Sequence, residues 1–88
     1  MASYKLVFKS SVEKDLRSIP KATISRLLAR VERLKEEPRT RQTIKLSGAE
    51  RLYRIRVGDY RVIYEIDDEE GLITVQYVRH RRDAYRDL

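Results

Sequence analysis

The sequence has no cysteine and only one histidine. Without cysteine, disulfide bonds and thiolate chemistry are excluded, and one histidine is too few for the usual structural zinc sites. Packing must therefore hold the fold, and we expect neither a metal nor a cofactor. No apolar run approaches the roughly 18 residues of a membrane span, and the N-terminus lacks the pattern of a signal peptide. We therefore expect a cytoplasmic chain with no membrane partner.

Length and charge bound the protein further. Its 88 residues suit one domain, residues 1–88, which would bury roughly 60–65% of its unfolded surface around one modest core. Lysine and arginine number 20 against 14 aspartate and glutamate, so the formal net charge is +6. This excess favours a phosphate-bearing partner or an acidic protein, although many basic domains of this size bind nothing specific.

An N-terminal strand and two helices are predicted before residue 38. Tyr4, Leu6 and Phe8 alternate with Lys5 and Lys9, as in a strand with one buried face. Ser10 and Glu13 form a capping-box pattern, which predicts the start of a short helix. From residue 21 to 36, apolar side chains recur at helical spacing, and Pro38 disfavours helix in the residue before it. The inward-facing residues of these helices are predicted to be Val12, Leu16, Ile19, Ile24, Leu27, Leu28, Val31 and Leu34.

The second half of the chain has the pattern of antiparallel strands. A short edge strand is predicted at 44–46, a hairpin at 51–66 and a β-branched strand at 72–78 after the acidic turn at 67–71. We therefore predict a small α+β domain of order β-α-α-β-β-β. In it, the N-terminal strand and two helices accompany a three- to four-stranded antiparallel sheet, and the helices cover one sheet face.

The predicted hairpin carries an unusual set of arginines. Gly58-Asp59 between two alternating runs predicts a two-residue turn, which places Arg56 directly opposite Arg61. Alternation along the strands then puts Arg54 on the same face, which we call the arginine face. Like charges directly opposite each other destabilise a sheet by roughly a few tenths to 1 kcal/mol, so a bound anion is the simplest reason for them. The opposite face would carry Tyr53, Ile55, Val57, Tyr60, Val62 and Tyr64.

A second basic cluster follows the last strand. If Ile66 pairs with Leu72 across the acidic turn, Arg61 faces Tyr77. Two sequence-distant clusters then converge on one surface of the sheet. The arginines that this register adds to the arginine face are Arg79 and Arg81.

These residues favour phosphodiester chemistry without metal. A guanidinium group forms two parallel hydrogen bonds to phosphate oxygens and stabilises the negative charge that develops during cleavage. RNA supplies its own nucleophile, the 2′-hydroxyl. His80 could act as a base near neutral pH, but in an extended segment it points away from its arginine neighbours, so packing is an equal alternative. Tyr85 lies in a short charged tail, where a core role is harder to satisfy. The sequence shows no carboxylate constellation suited to Mg²⁺, which disfavours a metal-dependent nuclease.

Four segments together resemble the RelE/ParE toxin superfamily of type II toxin–antitoxin systems. They are the hairpin from Arg54 to Tyr64, the acidic turn, the Lys45–Gly48 element and the segment from His80 to Tyr85. The resemblance covers nearly the whole chain. RelE-type members are ribosome-dependent mRNA endonucleases that activate the 2′-hydroxyl and leave a 2′,3′-cyclic phosphate. The resemblance therefore implies a cognate antitoxin and ribosome-bound mRNA as partners, with operator DNA bound only by the toxin–antitoxin complex.

The resemblance also implies roles for individual residues. Arg61 would hold and stabilise the scissile phosphate, Arg81 would assist the phosphate or the leaving group, and Tyr85 would stack on or activate the nucleotide. Arg54 and Arg56 stand where well-studied RelE toxins carry lysines; arginine stays charged and is a poor proton-transfer group. The general base is therefore open between Tyr85 and His80. The residues expected to bind RNA or phosphate are Arg54, Arg56, Arg79 and His80.

Two other functions remain compatible with the sequence. ParE-like members of the superfamily share the scaffold and inhibit DNA gyrase by binding it. The domain could also be a module without catalysis, whose arginines only hold antitoxin carboxylates or RNA phosphates. The presence of Arg61, Arg81 and Tyr85 favours the RelE-like activity.

Overall fold

A computed structural model describes residues 3–41, 43–46 and 51–81 of the chain. The described part contains two helices packed on one sheet, and no helix in it is long and apolar enough to cross a membrane. Helix α1 spans Ser10–Arg17, and helix α2 spans Lys21–Glu32 and continues as a 3₁₀ turn over Arg33–Lys35. The strands are β1 Lys5–Phe8, β2 Ile44–Lys45, β3 Leu52–Val57, β4 Tyr60–Asp67 and β5 Leu72–His80.

The five strands form one mixed sheet in the order β1-β5-β4-β3-β2. The three pairs among β2, β3, β4 and β5 are antiparallel, whereas β1 runs parallel to β5. The α+β prediction is therefore confirmed. The sheet differs from the expected three to four antiparallel strands because the two helices carry the chain back across one face, so the N-terminal strand joins the far edge in parallel.

Neither α1 nor α2 begins with a side-chain hydrogen bond at its cap. Helix α1 begins at Ser10, its N-cap residue is Lys9, and no side chain caps it. The capping-box prediction is therefore wrong, because Ser10 already lies in the first turn and cannot occupy the cap position. Pro20 is the N-cap of α2, where its fixed φ and missing N–H are tolerated.

The core lies between the helices and the sheet. Its buried residues from the helical part of the chain are Val12 of α1, Ile19 between the two helices, Leu27 and Val31 of α2, and Leu34 of the 3₁₀ turn. Leu16 and Ile24 are partly buried against the core. Leu28 was predicted to face inward, but its side chain is 40% exposed. Residues 24, 27, 31 and 34 form the buried stripe. Neighbouring helix positions differ in direction by about 100°, so Leu28, which follows Leu27, lies at the margin of this stripe.

The hairpin has the predicted register. Val57 pairs with Tyr60 and Arg56 pairs with Arg61, and Gly58 has φ +60° in the two-residue turn. The opposite face of the hairpin enters the core as predicted, with Tyr60 partly buried. The residues of the hairpin in the buried cluster are Tyr53, Ile55, Val57, Val62 and Tyr64.

The register between β4 and β5 differs from the prediction. Asp67, not Ile66, pairs with Leu72, and the register shifts again farther along the strands, where Gln76 is skipped. Arg61 therefore lies opposite Arg79 and not opposite Tyr77. Each one-residue shift reverses the face of a side chain, so the two together restore it, and the predicted face of Arg79 is correct.

A polar network anchors the connection after α2 to the sheet. The hydroxyl of Tyr64, a side chain with 0% exposure, donates to the carbonyl of Pro38 at 2.8 Å and lies 3.0 Å from Thr43 Oγ1. Burial raises the pKa of the Tyr64 phenol. Because both ends of the connection bond to the same strand residue, the segment is fixed against β4.

A second anchor joins the same connection to the acidic turn. Arg39 lies over the ring of Tyr53, 5.0 Å from its centroid, and donates to Asp68 Oδ2 at 2.9 Å. The Tyr4 hydroxyl donates to Asp68 Oδ1 at 2.6 Å. The hydrogen bonds from Arg39 and Tyr4 lower the pKa of the Asp68 carboxyl, and the bond to Asp68 raises the pKa of Tyr4.

Candidate phosphate-binding site

Three arginines are direct cross-strand neighbours on three adjacent strands. Arg56 of β3 pairs with Arg61 of β4, and Arg61 pairs with Arg79 of β5. We call these residues the arginine row. Directly opposed residues have Cβ atoms about 5 Å apart and point to the same side of a sheet, so three guanidinium stems share one strip of the arginine face. Such a strip concentrates positive charge and can bind an anion.

The members of the row differ in accessibility. Arg56 is exposed, and its Nε donates to the Gly58 carbonyl at 3.1 Å in the hairpin turn. Arg79 is half-buried, and Arg61 is only 7% exposed. The burial of Arg61 could not be read from the sequence, which only places it on the sheet face opposite the helices. A ligand from solvent meets Arg56 first, while Arg61 contributes its charge from a partly desolvated position, where electrostatic interactions are stronger.

A second row, which is apolar and aromatic except for one arginine, lies beside the arginine row. Ile44, Arg54, Ile63 and Tyr77 are aligned across β2, β3, β4 and β5 in direct pairs. Ile63 has 0% exposure, and Arg54 lies half-buried between the two isoleucines. The guanidinium carbon of Arg79 lies 4.5 Å from the Tyr77 ring centroid. The arginine face therefore combines cations with apolar surface, which suits a ligand with both phosphate and base.

Arg79 has a carboxylate partner at the edge of the sheet. Its Nη1 donates to Asp15 Oδ1 at 2.8 Å and to the Val78 carbonyl at 3.2 Å. Asp15 was not identified from the sequence, although it is a charged residue on the apolar side of α1, next to Leu16. That position was the available signal, because a carboxylate on an inward stripe needs a partner.

The structure places Arg81 near the row and His80 away from it. The Arg81 N–H donates to the Asp59 carbonyl at 2.7 Å, so this exposed residue lies beside the hairpin turn. His80 pairs with Tyr60 on the helix-covered side, and their rings meet edge to face with centroids 5.3 Å apart. His80 therefore points away from Arg79, as predicted, and the arrangement does not bring it to the row. Tyr85 lies outside the described residues.

Arg51, the fourth hairpin arginine, is not part of this arrangement. Its Nη1 lies 3.3 Å from Asp67 Oδ2 in a partly exposed ion pair at the far end of the hairpin. Across residues 3–41, 43–46 and 51–81, no cluster of three or more acidic or histidine side chains is arranged to hold a metal ion.

Comparison with known proteins places this geometry in a family. Residues 6–85 match the family described as ParE toxin of type II toxin–antitoxin system, parDE. The toxin RelG of Mycobacterium tuberculosis is 30% identical over 94% of this chain and 97% of its own length. Among solved structures, the archaeal RelE–RelB complex from Pyrococcus horikoshii is 37% identical, with a TM-score of 0.80 over 90% of this chain and 96% of its own.

A second archaeal structure gives the same result. The RelB–RelE antitoxin–toxin complex from Methanococcus jannaschii is 26% identical, with a TM-score of 0.76 over 93% of this chain and 98% of its own. In each comparison the similarity therefore extends over nearly the full length of both compared chains, and it includes the arginine hairpin. The chain belongs to the RelE/ParE family and is a toxin of a type II toxin–antitoxin system.

Proposed function

We propose that this toxin is a ribosome-dependent mRNA endonuclease that cleaves by attack of the RNA 2′-hydroxyl without a metal. The observation that carries the proposal is the arginine row, three directly opposed guanidinium side chains beside the aromatic ring of Tyr77. Folding alone disfavours the direct opposition of Arg56 and Arg61, whereas Asp15 already offsets the charge of Arg79. A phosphate group offsets the repulsion, and the exposed Ile44 and the partly exposed Tyr77 of the adjacent row offer surface to a nucleotide base.

The row acts on the charge that develops during cleavage. When the 2′-oxygen attacks the phosphorus, negative charge accumulates on the non-bridging oxygens, and fixed guanidinium groups stabilise it. Arg61 is the central member of the row, so we assign it to the scissile phosphate. The exposed Arg56 and the half-buried Arg54 bind the flanking phosphates. Because the nucleophile belongs to the RNA, the protein has to orient the substrate and stabilise charge.

Proton transfer needs groups other than the row. A base must take the 2′-hydroxyl proton, and the 5′-oxygen that leaves must gain one. Arginine stays protonated, so it can donate hydrogen bonds but is a poor base. We assign Arg81, beside the hairpin turn, to the leaving group or its phosphate, and Tyr85 to the general base. The packing of His80 against Tyr60 on the other sheet face supports this order of the two base candidates.

We further propose that a small antitoxin inhibits this toxin. The relatives from Pyrococcus horikoshii and Methanococcus jannaschii were solved as complexes of RelE with RelB. An antitoxin with acidic segments would be attracted to a chain of net charge +6. Bound to the arginine face, it would exclude RNA from the row, and the complex, not the free toxin, would bind operator DNA. The site of action would be the cytoplasm, where ribosomes translate mRNA.

Gyrase inhibition is the second candidate, because the matching family is described by its ParE members. One experiment separates the candidates. Purified chain is added to a reconstituted translation reaction in which mRNA 5′ ends are mapped, and gyrase supercoiling is assayed in parallel. Our proposal requires new 5′-hydroxyl ends within translated codons and unchanged supercoiling. Inhibited supercoiling without cleavage would assign the chain to gyrase, and neither effect would leave a module that only binds.

A further inference from the structure

The carboxylate of Asp15 connects three parts of the molecule. Asp15 lies on α1, beside the part of β5 that β1 leaves uncovered, since β1 pairs with β5 from Leu72 to Val75. Its Oδ2 accepts the Val78 N–H at 2.9 Å, and its Oδ1 accepts Arg79 Nη1 at 2.8 Å. One carboxylate therefore joins the helix, the edge of the sheet and one member of the arginine row.

The guanidinium of Arg79 is held in place from several directions. Besides its bond to Asp15, Nη1 donates to the Val78 carbonyl at 3.2 Å, and the guanidinium carbon lies 4.5 Å from the Tyr77 ring centroid. The side chains of Asp15 and Arg79 are 17% and 30% exposed. Salt screens such a shielded pair less than a surface pair. Arg79 would have to leave this carboxylate before its full charge could act on an anion over Arg61.

We propose that Asp15 is a positioning residue that holds Arg79 at the β5 edge and neutralises its charge, so that the arginine row offers a phosphate the charges of Arg56 and Arg61. The inference rests on the proposed function, in which the ligand of the row is RNA. Its consequence is that the α1 carboxylate limits RNA affinity and confines the phosphate to the β3–β4 side of the row.

The test replaces the charge of Asp15 and retains its shape. In Asp15→Asn the amide oxygen can still accept the Val78 N–H, while Arg79 loses its anionic partner. Binding is measured by fluorescence anisotropy with a 12-nucleotide single-stranded RNA, 2′-O-methylated so that it cannot be cleaved, over a series of salt concentrations. Affinity at low salt should rise about threefold or more. The slope of log K against log salt should steepen by about 0.7, the value for one additional phosphate contact on a single strand.

Glu13→Gln is the matched control for the charge change. It removes one negative charge from the same helix, but the Glu13 side chain is 77% exposed and lies 3.9 Å from Arg17. This variant should keep the wild-type salt slope. The gain from Asp15→Asn must also disappear in a chain that carries Arg79→Gln. The inference is overturned if Asp15→Asn and Glu13→Gln behave alike, or if the gain persists in the presence of Arg79→Gln.

Guanidinium NMR decides the inference without RNA. If Asp15 holds Arg79, rotation about the Nε–Cζ bond of Arg79 is restricted in the wild type and in Glu13→Gln, and becomes fast in Asp15→Asn. Fast rotation in the wild type would overturn the inference, and this measurement needs no variant that folds. Failure of the wild type to bind the RNA would count against the proposed function alone, since the NMR result would still decide the role of Asp15.

Discussion

Arg61 of β4 lies directly opposite Arg79 of β5, and one extra residue in β5 makes this alignment possible. Gln76 is skipped in the register, as in a β-bulge. Side chains alternate in direction, so pairing without this bulge would place Val78 opposite Arg61 on the arginine face. With the bulge, Val78 is 6% exposed in the core and the arginine row is complete. The bulge thus serves the core and the site together.

Arg61→Ala should abolish toxicity while the fold persists. The lost guanidinium stabilises charge in the transition state, and removal of one such donor costs about a hundredfold or more in rate. Growth arrest on induction and single-turnover mRNA cleavage measure the effect, and circular dichroism checks the fold. Arg51→Ala is the control, because Arg51 pairs with Asp67 away from the row and should have little effect. Full toxicity of a folded Arg61→Ala chain would refute the assignment.

Tyr85→Phe should slow single-turnover cleavage on the ribosome at least about tenfold, because it keeps the ring but removes the hydroxyl that could transfer the proton. In general, positive charge close to a phenol favours the phenolate form that a base requires. His80→Ala should have a smaller effect, since its ring contacts Tyr60 on the helix-covered side. The opposite order of rates would assign the base to His80. Near-wild-type rates for both would mean that cleavage proceeds without a protein base.

An antitoxin segment with acidic or amphipathic character should bind the arginine face or the helical groove, and its affinity should fall as salt screens the charges. Calorimetry at about 50 mM and about 500 mM salt measures this dependence. Arg56→Ala, at the exposed end of the row, should weaken binding more than Arg51→Ala. If the chain alone is harmless at high level in a growing bacterial cell and the purified chain binds no such segment, the toxin assignment is weakened.

Tyr64→Phe should lower the free energy of unfolding by about 1–3 kcal/mol, because the Pro38 carbonyl loses its buried donor and Thr43 loses a partner. Urea denaturation followed by circular dichroism measures the change. Tyr4→Phe is a contrasting variant, since the Tyr4 hydroxyl bonds to Asp68 at the surface. Its loss should be smaller, and equal losses would show that burial of the Tyr64 hydroxyl is not what makes it important.

Asp68→Asn should destabilise the protein at neutral pH and lose this effect in acid. The hydrogen bonds from Arg39 and Tyr4 lower the pKa of the folded Asp68 carboxyl below its value in the unfolded chain, about 3.9. The stabilisation is therefore fully present above that value and disappears as pH falls through the folded pKa. Thermal unfolding at about pH 7, 5 and 2 compares wild type with Asp68→Asn. Glu69→Gln, in the same turn, controls for charge, and a pH-independent difference would contradict the prediction.

The sequence alone determined the parts of this protein that depend on local periodicity and turn chemistry. The Gly58-Asp59 turn fixed the pairing of Arg56 with Arg61, because a two-residue hairpin has one register. Helical spacing identified the buried stripe of α2 apart from Leu28, whose position at the margin is decided by the neighbouring surfaces. The family resemblance also came from this local pattern, since its distinctive residues lie in the hairpin and the segment that follows.

Only the tertiary structure decided how the distant segments meet. The parallel pairing of β1 with β5 and the bond between Asp15 and Arg79 join residues more than sixty positions apart. The skipping of Gln76 depends on a one-residue shift in the register of β4 and β5. Alternation in β5 is compatible with several registers, and packing against the core selects among them. The burial of Arg61 and the carboxylate beside Arg79 have the same origin, because the local sequence specifies the face of a side chain but not its neighbours across the sheet.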